Sequence, residues 1–280
     1  VDIQVVSPAP GHYCYWAEDE FARDNARRVN DRLAHLAQSH PDRLMAFGTV
    51  PLQAPALAVE ELRRCVPELG MRGVEISSNV NGQELADPKF LPFFAAAEEL
   101  GVVVFMHPSG FTEGGRLSDY HLNNVIGNPL DSTVALAHLI YSGALDKLPG
   151  LKLLVAHGGG LMPAYAGRYD HAFHAREDCC HCQHPPSHYL QRTFFDTVVF
   201  DPMQLRHLAD RLVTDDLPAT ADVAASTATD TATDATPVAV IQHATLPAQR
   251  ELICTLGELP TAVQREGLQS PAVIVVGDVF

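Results

Sequence analysis

Two apolar runs in this chain end the same way. VVVFMHP (102–108) closes on His107, and LKLLVAHGGG (151–160) closes on His157. An imidazole at the exit of a buried strand can ligate a divalent cation or carry a proton. Two of them aimed at one opening suggest a metal-assisted site. The three glycines after His157 let the backbone turn sharply and approach a ligand without a Cβ in the way. Arg168, in GRYDHAFHAR, offers a planar fork for a carboxylate; its alternative is a solvated helix residue paired with Asp170 or Glu177. The tract DCCHCQHPPSH (178–188) brings Cys179, Cys182, His184 and His188 into range of a tetrahedral zinc site, although the spacing matches no standard knuckle. Asp196 either faces the same opening or pairs with a strand-end amide. Asp201 before Pro202 is placed as a helix N-cap. Tyr15 and Trp16 fit rim packing better than cofactor binding.

Strands and helices must hold these groups, and the pattern alternates between the two. Strands are expected at 1–7, 43–51, 73–77, 102–107, 151–157 and 194–200. Helices are expected at 19–39, 55–69, 87–100, 128–142, 186–191 and 202–212. Such alternation predicts parallel strands joined by right-handed crossovers, and the near-continuous apolar strands suit a sheet covered by helices. If that sheet curls into a (β/α) barrel, strand C-termini form the chemical rim and both histidines lie on it.

The pattern stops near residue 213. Residues 214–236, TDDLPATADVAASTATDTATDAT, hold few large apolar groups and predict a flexible linker. Beyond it, PVAVIQ is strand-like, 260–265 helical, and PAVIVVGDVF a last apolar strand. That strand ends at Gly277-Asp278 and could in principle dock as an additional barrel strand carrying a carboxylate.

The 280 residues carry 34 acidic and 19 basic side chains, a formal charge of −15 that argues against a nucleic-acid or anionic-membrane partner. No run of about 18 apolar residues predicts a membrane span. The opening VDIQVVSPAP shows no basic n-region or signal-peptide core, so it is expected to be a strand and loop, and without an initial Met the chain is expected to be a fragment or processed product. Of six cysteines, three crowd into positions 179–182, a poor disulfide framework, so a reducing cytoplasm is expected.

The stretches VDIQVVSP, RLMAFGTVPLQ, LGMRGVEI, VVVFMHP, LPGLKLLVAHGGG, GRYDHAFHAR, REDC, PPSHYL and FFDTVVFDP, in that order, make residues 1 to about 212 resemble the amidohydrolase-related decarboxylases, in particular the aminocarboxymuconate-semialdehyde decarboxylase branch. The resemblance implies a (β/α)₈ barrel with one divalent metal, usually zinc, of which this chain would hold strands two to seven. It implies that His107 is a metal ligand, that His157 acts on metal-bound water, and that Arg168 meets substrate carboxylate, in some members across a homodimer interface. It also implies a His-x-His on strand one and an Asp on strand eight; neither is found at its expected place. The expectation is therefore an incomplete barrel descended from a metal-dependent decarboxylase or hydrolase of small carboxylic acids, with impaired activity.

Residues 236–280, through TPVAV, TLPAQR, CTL and PAVIVVG, resemble the C-terminal end of uroporphyrinogen-III C-methyltransferase, a tetrapyrrole methylase. That resemblance implies a gene fusion. Most of the family's S-adenosylmethionine pocket is missing, so this cofactor is not expected. The remaining reading is a non-catalytic barrel remnant.

Overall fold

A computed structural model describes residues 3–212, 237–242, 250–255, 258, 261, 262, 265 and 272–276. The chain divides into two compact units, Ile3–Phe195 and a second that begins at Asp196.

The first unit is a curled parallel sheet wrapped by helices. Its strands are β1 (Gln4–Val6), β2 (Leu44–Thr49), β3 (Gly73–Ile76), β6 (Val103–Met106), β7 (Lys152–Val155) and β8 (Phe194–Phe195), side by side in the order β1-β2-β3-β6-β7-β8. A short antiparallel hairpin, β4 (Asn79–Val80) and β5 (Gln83–Glu84), follows β3. Between the strands lie α1 (Asp19–Ser39), α2 (Pro55–Cys65), α3 (Leu91–Leu100), α4 (Asn128–Tyr141), α5 (Ala166–Ala175) and α6 (Pro186–Leu190).

Side chains alternate across the sheet, as a pleated strand requires. Val74, Ile76, Val104, Met106, Leu153 and Val155 lie on the helix-covered face and are buried. Val103, Phe105 and Leu154 occupy the concave face and are half-buried. Phe90, Phe93 and Phe94 at the start of α3 are no more than 2% exposed. Each such ring is worth about 1.5–3 kcal/mol relative to exposure. Gly101 ends α3 in the left-handed conformation (φ 63°), its N–H reaching the carbonyls of Ala97 and Glu98. Pro55 opens α2 at a position where no N–H is needed.

Behind the end of β2, the buried Asn30 amide donates to Thr49 O (2.8 Å) and to Glu61 (2.7 Å) and accepts from Thr49 N (2.8 Å). Arg64 holds both oxygens of the same glutamate, at 2.9 and 2.8 Å. This paired, hydrogen-bonded charge locks α1 and α2 onto one strand end.

In the second unit, α7 (Pro202–Leu212) is capped by Asp201, whose carboxylate accepts Met203 N at 2.7 Å. Strands β9 (Pro237–Gln242), β10 (Arg250–Thr255) and β11 (Ala272–Val276) form an antiparallel sheet in the order β10-β9-β11.

Two expectations are corrected. The strand foreseen at 194–200 stops at Phe195. Val198 N turns onto the Asp196 carboxylate (3.1 Å), Val199 N onto Thr197 O (2.8 Å), and Phe200 has φ 57°; all three leave the extended conformation. The last apolar strand does not extend the parallel sheet either: β11 pairs antiparallel with β9. Asp278 and the foreseen linker lie outside the described residues.

Candidate active site

His107 directly follows β6. Its N–H donates to Ile76 O at 2.9 Å, which continues the β3–β6 ladder one step onto the rim. Its ring Nδ1 lies 2.9 Å from Pro108 O. A carbonyl only accepts, so this bond places the proton on Nδ1 and leaves the Nε2 lone pair for a cation or a proton.

His157 reaches the same opening by a less direct route. Met106 pairs with Val155, so the residue opposite His107 is Ala156, and His157 falls one step further on. Strand alternation alone would send His157 to the helix side. Instead the strand ends there: His157 adopts φ 59° and Gly158–Gly160 follow with φ 60°, 75° and 63°. The ring centres of His107 and His157 come to 4.9 Å, with planes 58° apart. A left-handed non-glycine residue costs about 1–3 kcal/mol and persists only where its surroundings hold it.

The glycines explain what holds it. A Cβ on Gly160 would fall on the Pro129 carbonyl and the Thr133 hydroxyl at the start of α4; one on Gly159 would fall on the Phe195 ring. The Thr133 hydroxyl also accepts Leu161 N at 2.8 Å and donates to Pro129 O at 2.7 Å. The loop is therefore seated directly on helix backbone.

Several groups that sequence reasoning missed support this rim. Glu75, on the concave side of β3, is 2% exposed. Tyr13 donates both to Glu75 (2.7 Å) and to the His107 carbonyl (3.0 Å). The Tyr13 ring stacks on Tyr15 at 5.6 Å, and the Tyr15 hydroxyl accepts Ser77 N at 3.4 Å. Burial raises the Glu75 pKa, while hydrogen bonds from Ser7 and Tyr13 and the field of His107 pull it back. Burial and the Glu75 charge also push the Tyr13 phenol up, so it stays a donor.

Asp131, buried in the first turn of α4, accepts from the Ser78 hydroxyl and from Asn79 (3.2 Å), and hydrogen-bonds the Thr112 backbone. It ties the loop after β3, the loop after β6 and the helix that seats the glycines into one body. The available signals were a lone acid inside each apolar run, GVEIS and NPLDSTVALAHLI.

The remaining expected residues fare differently. Arg168 lies exposed in the first turn of α5, just past the glycine loop, and makes no ion pair among the described residues. Asp170 instead accepts Ser187 N at 2.9 Å. Tyr15 is buried on the rim, as foreseen. Trp16 is 78% exposed, with its ring 6.3 Å from Phe21. Cys179, Cys182, His184 and His188 do not converge: among the described residues no group of three or more His, Cys, Asp or Glu side chains could hold a metal ion. The Cys182 thiol turns to His184 O (3.3 Å) and Cys180 to Glu177 O (3.1 Å). These backbone bonds pull the sulfurs away from a shared centre.

The same observation sets the limit on a metal at the rim. His107 and His157 are two imidazoles, whereas catalytic zinc takes about three protein ligands. The described residues do not by themselves fit a complete metal site.

The amidohydrolase family model matches residues 1–217. The chain belongs to the amidohydrolase family. Among its amidohydrolase relatives, 2-amino-3-carboxymuconate-6-semialdehyde decarboxylase of Dictyostelium discoideum is 39% identical over 212 residues, 75% of this chain and 59% of that protein. The crystal structure of 5-carboxyvanillate decarboxylase LigW from Sphingomonas paucimobilis superposes with a TM-score of 0.71 at 27% identity, covering 76% of this chain and 65% of that one. A 5-carboxyvanillate decarboxylase from Novosphingobium aromaticivorans, solved with bound manganese, gives 0.69 at 25% identity over 76% of this chain and 64% of that one. The amidohydrolase chain thus spans about three fifths of the curated relative it matches. Its incomplete barrel, an α/β sheet with helices, is the family's architecture.

Proposed function

We propose that this protein derives its chemistry from the metal-dependent decarboxylases of its family, acting on a small unsaturated or aromatic carboxylic acid. The observation that carries the reading is the 4.9 Å approach of the His107 and His157 rings at the C-terminal end of a parallel sheet. The decarboxylases named above support it, as does the manganese bound in one of them.

Loss of CO₂ breaks a carbon–carbon bond and leaves its electron pair on the substrate carbon. That carbon must then receive a proton. In this reading His157 delivers it, and its left-handed backbone aims the ring at the opening. His107, with Nδ1–H committed to Pro108 O, offers Nε2 to a divalent cation, zinc or manganese. The described residues provide only two imidazoles for that cation, fewer than a catalytic site generally uses. For the same reason turnover by this chain is expected to be low. Arg168, just past the glycine loop, is the proposed contact for the substrate carboxylate. A homodimer and a cytoplasmic location belong to the same proposal; among the described residues no helix is long and apolar enough to cross a membrane.

The test is CO₂ release by the purified chain with Mn²⁺, using 2-amino-3-carboxymuconate-6-semialdehyde and a set of hydroxybenzoates. Release that disappears in His157→Asn supports the reading. Release unchanged in His157→Asn and His107→Ala contradicts it. Two other proposals, S-adenosylmethionine-dependent methylation by the fused tail and a non-catalytic remnant, rest on resemblance and composition alone. Retention of labelled S-adenosylmethionine would favour the former.

A further inference from the structure

A groove of about 420 Å³ lies between the loop that follows β1 and α1. Small-molecule clefts span ~300–1,000 Å³, and this one is open to solvent. Its apolar surface comes from Pro8 and Ala9 on the loop and from Val29 and Leu33, one turn apart on α1. Pro8 is buried, and Val29 and Leu33 are half-buried. Arg28 and Arg32, adjoining them on the helix, line the same groove and are exposed. The loop wall is fixed to the helix. His12 N donates to Ala9 O at 2.9 Å, and the Asn25 amide of α1 donates to His12 O at 3.3 Å. Ser7, which also lines the groove, hydrogen-bonds Glu75. Both walls are thus in place before a ligand arrives, so little ordering remains to be done on binding.

The two guanidiniums of the groove are uncompensated, in a chain where 34 acids face 19 basic side chains. Arg23, Arg27, Arg63, Arg64 and Arg176 each hold a carboxylate. Arg28 and Arg32 make no ion pair and no side-chain hydrogen bond among the described residues. The acids within one turn of Arg28 are turned elsewhere, Asp24 to Arg23 at 3.0 Å and Asp31 to Arg64 at 2.7 Å. Arg32 has Arg28, Val29, His35 and Leu36 at its three- and four-residue spacings, none of them an acid. Arg28 and Arg32 are instead i, i+4 neighbours, a spacing at which like charges repel. An anion between them relieves that repulsion. A guanidinium fork takes a carboxylate through two parallel hydrogen bonds.

We propose that this groove binds a small carboxylate with an apolar body. Arg28 and Arg32 hold its charge, and Pro8, Ala9, Val29 and Leu33 cover its hydrocarbon part. The groove opens at the same end of the parallel sheet as His107, because β1, β2, β3 and β6 all run in one direction. Neither His107 nor His157 lines it, and the site does not rest on the reaction proposed for them.

The test titrates the full chain with benzoate and follows the methyl signals of Val29 and Leu33 by NMR. Both should shift along one saturable curve. An Arg28→Gln/Arg32→Gln variant should weaken that curve by about ten-fold or more, while a His107→Gln/His157→Gln variant retains it. Arg28→Lys/Arg32→Lys keeps the charge, loses the fork and should fall between. Benzamide, the neutral counterpart, should bind about ten-fold more weakly. Acetate, which lacks the ring, should also bind more weakly than benzoate. Equal affinity in the Arg28→Gln/Arg32→Gln variant would overturn the proposal, as would no saturation below ~10 mM benzoate. Inorganic phosphate binding as tightly as benzoate would overturn it too, because the apolar wall would then contribute nothing. A circular dichroism spectrum of the glutamine variant matching the parent shows that any loss is not unfolding. None of these outcomes depends on whether the chain releases CO₂.

Discussion

His157 and Glu75 are the side chains whose replacement says most. If His157 moves the proton, His157→Asn should lower the rate of CO₂ release by about 10²–10⁴-fold, and substrate binding should change far less. A KM that rises while kcat holds would assign His157 to binding instead. Glu75 makes a separate prediction about stability. Its folded pKa is raised above the ordinary 4.5, chiefly by burial. The stabilising contribution is therefore complete below that value and is lost as pH rises through the shifted one. Thermal midpoints should fall as pH increases across this window, and Glu75→Gln should flatten the profile. A parent profile that instead rises with pH would place the dominant carboxylate elsewhere. The two histidines were legible in the sequence because each closes an apolar run. Their convergence was legible only in part: the β6–β7 register makes Ala156 the residue opposite His107, and a left-handed turn that no periodicity announces brings His157 back. Glu75, Tyr13 and Asp131 escaped notice because a buried polar group is recognised by its partners, which are remote in sequence.

At the scale of elements, the glycine loop and the first turn of α4 act as one piece. Gly160→Ala pushes a methyl group onto Pro129 O and Thr133 at a left-handed position. It should cost about 1–3 kcal/mol from the backbone alone, with the clash adding to that. It should lower the thermal midpoint and separate the His107 and His157 rings. An unchanged midpoint would show that the loop is not wedged as described. Asp131→Ala leaves the Ser78 hydroxyl and its neighbours without an acceptor and should destabilise by about 1–3 kcal/mol, measured by urea denaturation. Most elements could be read from pattern: α1 runs over the expected residues, and the five longer parallel strands fall inside their expected spans. The last strand was overcalled because apolar, β-branched TVVF fits a strand until Asp196 offers its carboxylate to the amide two residues on.

For the molecule as a whole, the parallel sheet among the described residues ends at β1 and β8, each paired on one side. Val5 is 47% exposed and Phe194 55%. Unpaired edges with apolar side chains invite association. Light scattering should therefore show a concentration-dependent increase in mass, reduced by Val5→Lys. A monomer across the accessible range would show the edges to be protected. The fold class was legible because strand–helix alternation leaves few topologies. The pairing of β11 was not, because an isolated apolar strand carries no statement of its partner.

Everything proposed for the reaction depends on His107 and His157 facing one opening. The most direct measurement is Mn²⁺ titration of the chain with the histidine ring protons observed by NMR and assigned through His107→Gln and His157→Gln. The account predicts that both rings broaden together, at the same low Mn²⁺ concentration and ahead of exposed histidines such as His35. Broadening of one ring while the other stays sharp would contradict it.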